Sequence, residues 1–210
     1  MAAEHDAVDE PLSAHHRVHG VAVILEVEEV CGGWQRIREL ASHTEATVES
    51  NLATPCIRNA RSLLVTALAA AHGGDDEAAR RYERRAAEVE SEGYDIVLAA
   101  PRTWLALLRG EIDDVDELID AVDLPRGQTW YAIPAAAARL DALAGARDKT
   151  RAEREAPALL RPGTYLEPFA LRTLGVVRED ENLIHQAVER FEAMHLDWHA
   201  AKTRKLVVEA

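Results

Sequence analysis

His15 and His19 stand four residues apart, and so do His195 and His199. On a helix that spacing puts two imidazoles on one face, and with Glu26 the first pair makes the set that a helical metal-dependent hydrolase would use. Catalytic zinc takes three protein ligands, however, and neither HExxH nor CxxC occurs. Leu196 to Trp198 reads as a break between helices, which spoils the second pair. Cys31 closes one helix and Cys56 opens the next parallel one, roughly 20 Å or more apart at 1.5 Å per residue, too far for a disulfide. The expectation is two free, mostly buried thiols. Phosphate loops of the form GxxxxGK[ST], the dinucleotide fingerprint GxGxxG and the nucleophile elbow GxSxG are all missing. Carboxylate runs such as Asp113-Asp114 and Glu179-Asp180-Glu181 fall at turns and helix starts, where the macrodipole favours them. These residues predict no catalytic group, no bound metal and no cofactor.

Three arginines carry more information. Arg61, Arg139 and Arg172 lie on otherwise apolar, nearly neutral stretches, and a guanidinium is rarely buried without a carboxylate. They can recognise an acidic group or a C-terminal carboxylate of a partner. The competing expectation is that they pair with neighbouring Glu or Asp and hold helices in register. With Trp104 and Tyr165 they form the expected partner-binding groove, with His19 and Glu26 on or near the same inner face. Trp34 and the Trp130-Tyr131 pair read as packing residues.

The elements that must position these groups are helices. Glycine-centred turns at Gly33, Gly74, Gly110 and Gly145, and a glycine-free corner at Arg178-Glu179, fall about 41, 36, 35 and 33 residues apart. Each turn joins a more apolar helix to a more charged one. The predicted pairs are 11–30 with 34–48, 55–71 with 75–92, 96–109 with 112–122, 129–144 with 148–160, and 165–177 with 180–194. A last helix over 197–208 caps the open end. Pro101, Pro134 and Pro168 precede their turns at a similar spacing and must start or kink their helices, which predicts short first helices there. Charged runs such as Arg80, Arg81, Glu83, Arg84 and Arg85 suit solvated outer faces. The fold class is therefore all-α, a right-handed α-solenoid of about five helix pairs. Residues 1–10 form a flexible tail and 11–210 one repeat domain.

Composition agrees with a packed helical chain. Of 210 residues, 48% are apolar but only 5% aromatic, so the apolar mass is Ala, Leu and Val, suited to closely approaching helices. The net charge of −13 opposes nucleic-acid binding. The acidic start, without a basic segment followed by an apolar run, predicts no signal peptide and a cytoplasmic protein. No stretch is long enough to predict a membrane span.

Ala79 and Ala86, five and twelve residues after Gly74, resemble the small-residue positions of a tetratricopeptide repeat. The stretch from Tyr165 to Arg204 is similar to the degenerate repeats in C-terminal arrays of bacterial regulators that join an ATPase module, sometimes with a nucleotidyl-cyclase or LuxR-type DNA-binding domain, to a helical array. Pro11 to Leu64, with NLATPCIRNARSLL, resembles the same arrays. The resemblance implies a non-enzymatic sensor or regulatory arm that holds a protein or peptide in a concave groove. Its ATPase and cyclase motifs do not occur in this chain. Self-association is the second expectation, and a metal-dependent hydrolase the third.

Overall fold

The computed structural model describes residues 13–90, 95–111 and 130–208. Those residues form helices and turns, with no strand among them. The chain divides into two compact units, 1–94 and 95–210.

The first unit holds α1 (Ala14–Cys31), α2 (Trp34–Ser50), α3 (Ile57–His72) and α4 (Asp76–Glu88). Helix α1 packs on α2 and α3, α2 on α3, and α3 on α4, so each hairpin covers the next. Every residue of α3 from Asn59 to Ala70 is buried, on all faces of the helix. Leu63, Leu64, Val65 and Leu68 thus leave water, each contributing roughly 1.5–3 kcal/mol, and the alanines between them let neighbouring helices approach. Ala79 and Ala86 are buried on α4. On the outer side Glu45 and Glu49 of α2 meet Arg81 and Arg85 of α4. Both pairs span 36 residues.

The second unit holds α5 (Asp95–Arg109), α6 (Ala132–Gly145), α7 (Lys149–Glu155) followed by a 3-10 turn (Ala156–Leu159), α8 (Glu167–Arg178), α9 (Glu181–Ala193) and α10 (Asp197–Val208). Successive elements again neighbour one another: α5 on α6, α6 on α7 and α8, α7 on α8, α8 on α9, and α9 on α10. The expected helix over 112–122 lies outside the described residues. Pro134 and Pro168 fall in the first turn of α6 and α8, where the missing N–H is not needed. Pro101 instead lies inside α5, which runs 15 residues, so that first helix is not short.

Among the described residues one turn is built six times. The amide of Gly33, Asp75, Glu111, Asp148, Asp180 and Leu196 each donates to the carbonyl five residues back, at 2.7 to 3.0 Å. Each is preceded by a left-handed residue: Gly32, Gly74, Gly110, Arg147, Glu179 and His195. This is the Schellman closure, which satisfies the last carbonyls of a helix. Asp75, Asp148 and Asp180 then accept a backbone N–H of the following helix and start α4, α7 and α9. The turn residue is therefore Gly32, not Gly33, in the first hairpin, and Arg147, not Gly145, in the fourth. Gly145 ends α6.

Candidate functional site

In the second unit, polar groups converge on Asp141 of α6. Trp104 Nε1 of α5 donates to Asp141 Oδ2 at 3.1 Å, Arg172 of α8 donates to Oδ1, and Lys202 Nζ of α10 lies 3.5 Å from Oδ2. Arg172 also donates to Thr203 Oγ1 at 3.0 Å and lies 5.0 Å from the rings of Phe169 and Phe191. His199 stacks on Phe191 and meets Phe169 edge-on. Asp141 and Arg172 are both buried. Burial pushes the Asp141 carboxyl up, but Arg172, Lys202 and His199 outweigh it and hold the group below the usual carboxylate range.

The first unit repeats the device with a different balance. Arg61 of α3, 2% exposed, donates to Glu29 Oε2 of α1 at 2.6 Å. Both ion pairs join a first helix to the first helix before it. Glu29 has one guanidinium where Asp141 has two cations and an indole, and its Oε1 is buried with no hydrogen bond to a described residue. Burial therefore dominates over Arg61, and the Glu29 carboxyl is raised.

Near the start of α1, the side chains of His15 and His19 meet Cys56, the residue that opens α3. Their ligand atoms all lie within 4.8 Å of one another, and all three residues are half-buried. The imidazole rings are 4.4 Å apart, and Cys56 Sγ is 3.6 Å from His19 Nε2. Burial first, then Arg58, His15 and His16, lower the His19 imidazole below its ordinary value, against the opposing charge of Glu26. Glu26, named with His15 and His19 from sequence, is not in this group. Its carboxylate is buried and 3.8 Å from Arg58.

Of the five expected groove residues, Arg61, Trp104 and Arg172 lie in the interior, so as placed they present no surface to a partner. Arg139 and Tyr165 are half-buried. Arg139 holds Glu155 with two hydrogen bonds, 2.6 and 3.0 Å, within the α6–α7 hairpin. The pairing of arginines with neighbouring carboxylates, weighed in the sequence as the alternative to partner recognition, is thus present at all three positions. Trp34 is buried and stacks on His72, whereas Trp130 is exposed and is not a packing residue. The cysteines are both free thiols, but Cys31 is exposed and Cys56 half-buried, against the expectation of mostly buried ones. His195 is exposed in its left-handed turn while His199 is buried, so these two histidines form no pair. No helix among the described residues is long and apolar enough to cross a membrane.

Sequence reasoning missed Asp141, Glu29 and the joining of Cys56 to the histidine pair. A buried arginine on an apolar helix signals that some carboxylate faces it, but not which one. No family model, no curated protein and no solved structure matches the chain.

Proposed function

We propose that this chain is a non-enzymatic helical-repeat module that holds a protein or peptide partner, as a sensor or regulatory arm in bacterial signalling. The observation that carries the reading is the order of packing within each unit. First helix lies on next first helix, α1 on α3, α5 on α6 and α6 on α8, the neighbour pattern of stacked hairpins whose surfaces serve binding. Each interior guanidinium faces a carboxylate, Arg61 on Glu29 and Arg172 on Asp141, which supports a structural rather than a reactive core.

Binding then falls to outward groups. Along α1, Val23, Ile24 and Val27 are 50%, 37% and 52% exposed, an apolar strip on a first helix. Arg139 and Tyr165 are the two groove residues that keep solvent access. The right-handed solenoid of about five pairs belongs to the same reading and rests on the sequence period.

The test is affinity capture on the immobilised full chain, with Val23→Lys/Val27→Lys as the paired variant. A protein retained by the native chain and lost by a variant of unchanged helicity supports the reading. Association that depends on concentration in sedimentation, with nothing retained, replaces it with a self-association scaffold. Turnover by the purified chain ends it.

A further inference from the structure

The cluster at the start of α1 is made of metal-ligand chemistry that the interaction reading does not use. From this grouping we infer that His15, His19 and Cys56 bind one zinc-class divalent cation, with the fourth position taken by water.

The ligand set comes first. Two imidazoles and one thiolate suit a borderline-soft ion such as Zn2+ and disfavour Mg2+ or Ca2+, which take oxygen ligands. Zinc bonds of about 2.0–2.3 Å in a tetrahedron place ligand atoms roughly 3.3–3.8 Å apart. Cys56 Sγ and His19 Nε2, at 3.6 Å, already meet that spacing. The three ligand atoms lie within 4.8 Å of each other, so side-chain rotation of about 1 Å, without backbone movement, closes the set.

The backbone fixes the ligands from two separate elements. His15 and His19 share one face of α1, one turn apart, where Val18, Val21 and Ala22 anchor the helix in the core. Cys56 is the N-cap residue of α3, and its side chain makes no capping hydrogen bond, so the sulfur is not committed to the helix end. His15 Nδ1 is buried with no hydrogen bond to any described residue, a state that a metal or a second ligand group would relieve.

Nearby charge is compatible with a cation. Arg58 approaches the cluster, donating to the His19 carbonyl at 3.3 Å, and Glu26 lies 3.8 Å from the same guanidinium. One thiolate with a divalent ion leaves a single positive charge, beside an arginine offset by a buried glutamate. His16, next in sequence, is turned elsewhere: its Nδ1 lies 2.7 Å from the Ser13 hydroxyl. It provides an internal control.

Bound there, the ion would pin the start of α1 to the start of α3 and stabilise the first unit by mass action. This holds whether or not the protein-binding reading stands, because its readouts need no partner.

The untagged chain, stripped with a chelator, is titrated with Zn2+ against a chromophoric competitor, and separately with Co2+. The expected result is one equivalent bound, a thiolate-to-cobalt charge-transfer band in the native chain, and a raised Tm with Zn2+. His19→Ala and Cys56→Ser should each weaken binding about tenfold or more, with the Cys56→Ser cobalt complex losing the thiolate band, while His16→Ala leaves binding unchanged. Circular dichroism of the apo variants separates lost ligands from lost fold. Absence of the thiolate band in the native chain overturns the proposal, and so does Zn2+ binding that survives both ligand substitutions.

Discussion

Asp141 and Glu29 are buried carboxylates facing one arginine each, yet their surroundings push them in opposite directions. Lys202 and the Trp104 indole complete the shell of Asp141, whereas one oxygen of Glu29 has no hydrogen bond to a described residue. Arg172→Gln therefore strands a charge that the interior has stabilised, and urea unfolding should show a loss of about 3–5 kcal/mol. Arg61→Gln should cost less, because Glu29 is already raised and takes up a proton once its partner is gone. The pH response separates the two sites. The Asp141 contribution is fully present above the unfolded carboxylate value of about 3.9 and is lost as pH falls through its lower folded value. The Glu29 penalty appears as pH rises from about 4.3 through its raised folded value, so acid relieves it. Hydrogen-exchange protection, corrected for intrinsic rates, should rise in α3 as pH is lowered towards about 4.3, while α6 and α8 lose protection only below about pH 4.

Helices are joined by a turn whose backbone repeats although its residues do not. A left-handed residue is easy for Gly74 and strained for Glu179 and Arg147, which cost up to about 1–2 kcal/mol each. Their ion pair at 3.5 Å is largely exposed and offsets little. Glu179→Gly should accordingly gain about 0.5–1 kcal/mol in thermal unfolding, after the extra freedom glycine has in the unfolded chain. The opposite substitution fails where α8 and α9 close on each other. A Cβ on Gly175 would stand 2.7 Å from Ile184 Cγ1, 3.1 Å from the Ile184 nitrogen and 3.2 Å from the Asp180 oxygen. Two of these atoms are backbone and cannot rotate away, so Gly175→Ala should cost about 1–3 kcal/mol in urea unfolding.

That turn also marks how far the helices could be read in advance. Apolar runs ended by Gly74 and Gly110 gave their positions directly, because glycine there serves the conformation. The glycine pattern puts the fourth turn at Gly145, although the left-handed residue is Arg147, two positions on. Asp148, which caps α7, is the better signal, since a side chain that accepts a backbone N–H of the next helix marks its start whatever residue makes the turn. The buried arginines were legible as unusual, but their partners were not. Pairing across helices depends on rotation about each helix axis, and a repeat period known to within a few residues leaves that rotation open. The same uncertainty hid Cys56, which meets His19 across 37 positions in the chain.

At the scale of the whole chain, charge decides what can approach. A net charge of −13 repels phosphate backbones, so a mobility-shift titration with duplex DNA near physiological salt should show no complex. A cationic partner would be steered in, its association rate falling as salt is raised. The Glu45–Arg81 and Glu49–Arg85 ladder is half exposed, and removing one rung should change stability by less than about 1 kcal/mol.

Helix α3 is buried around its whole circumference over Asn59 to Ala70. On the ribosome it emerges after α1 and α2 but before α4. The growing chain thus exposes its stickiest segment while only half of that segment's covering exists. Nascent α3 must settle into the α1–α2 hairpin or meet a chaperone, and the moment of greatest risk comes when α3 has left the exit tunnel and α4 has not.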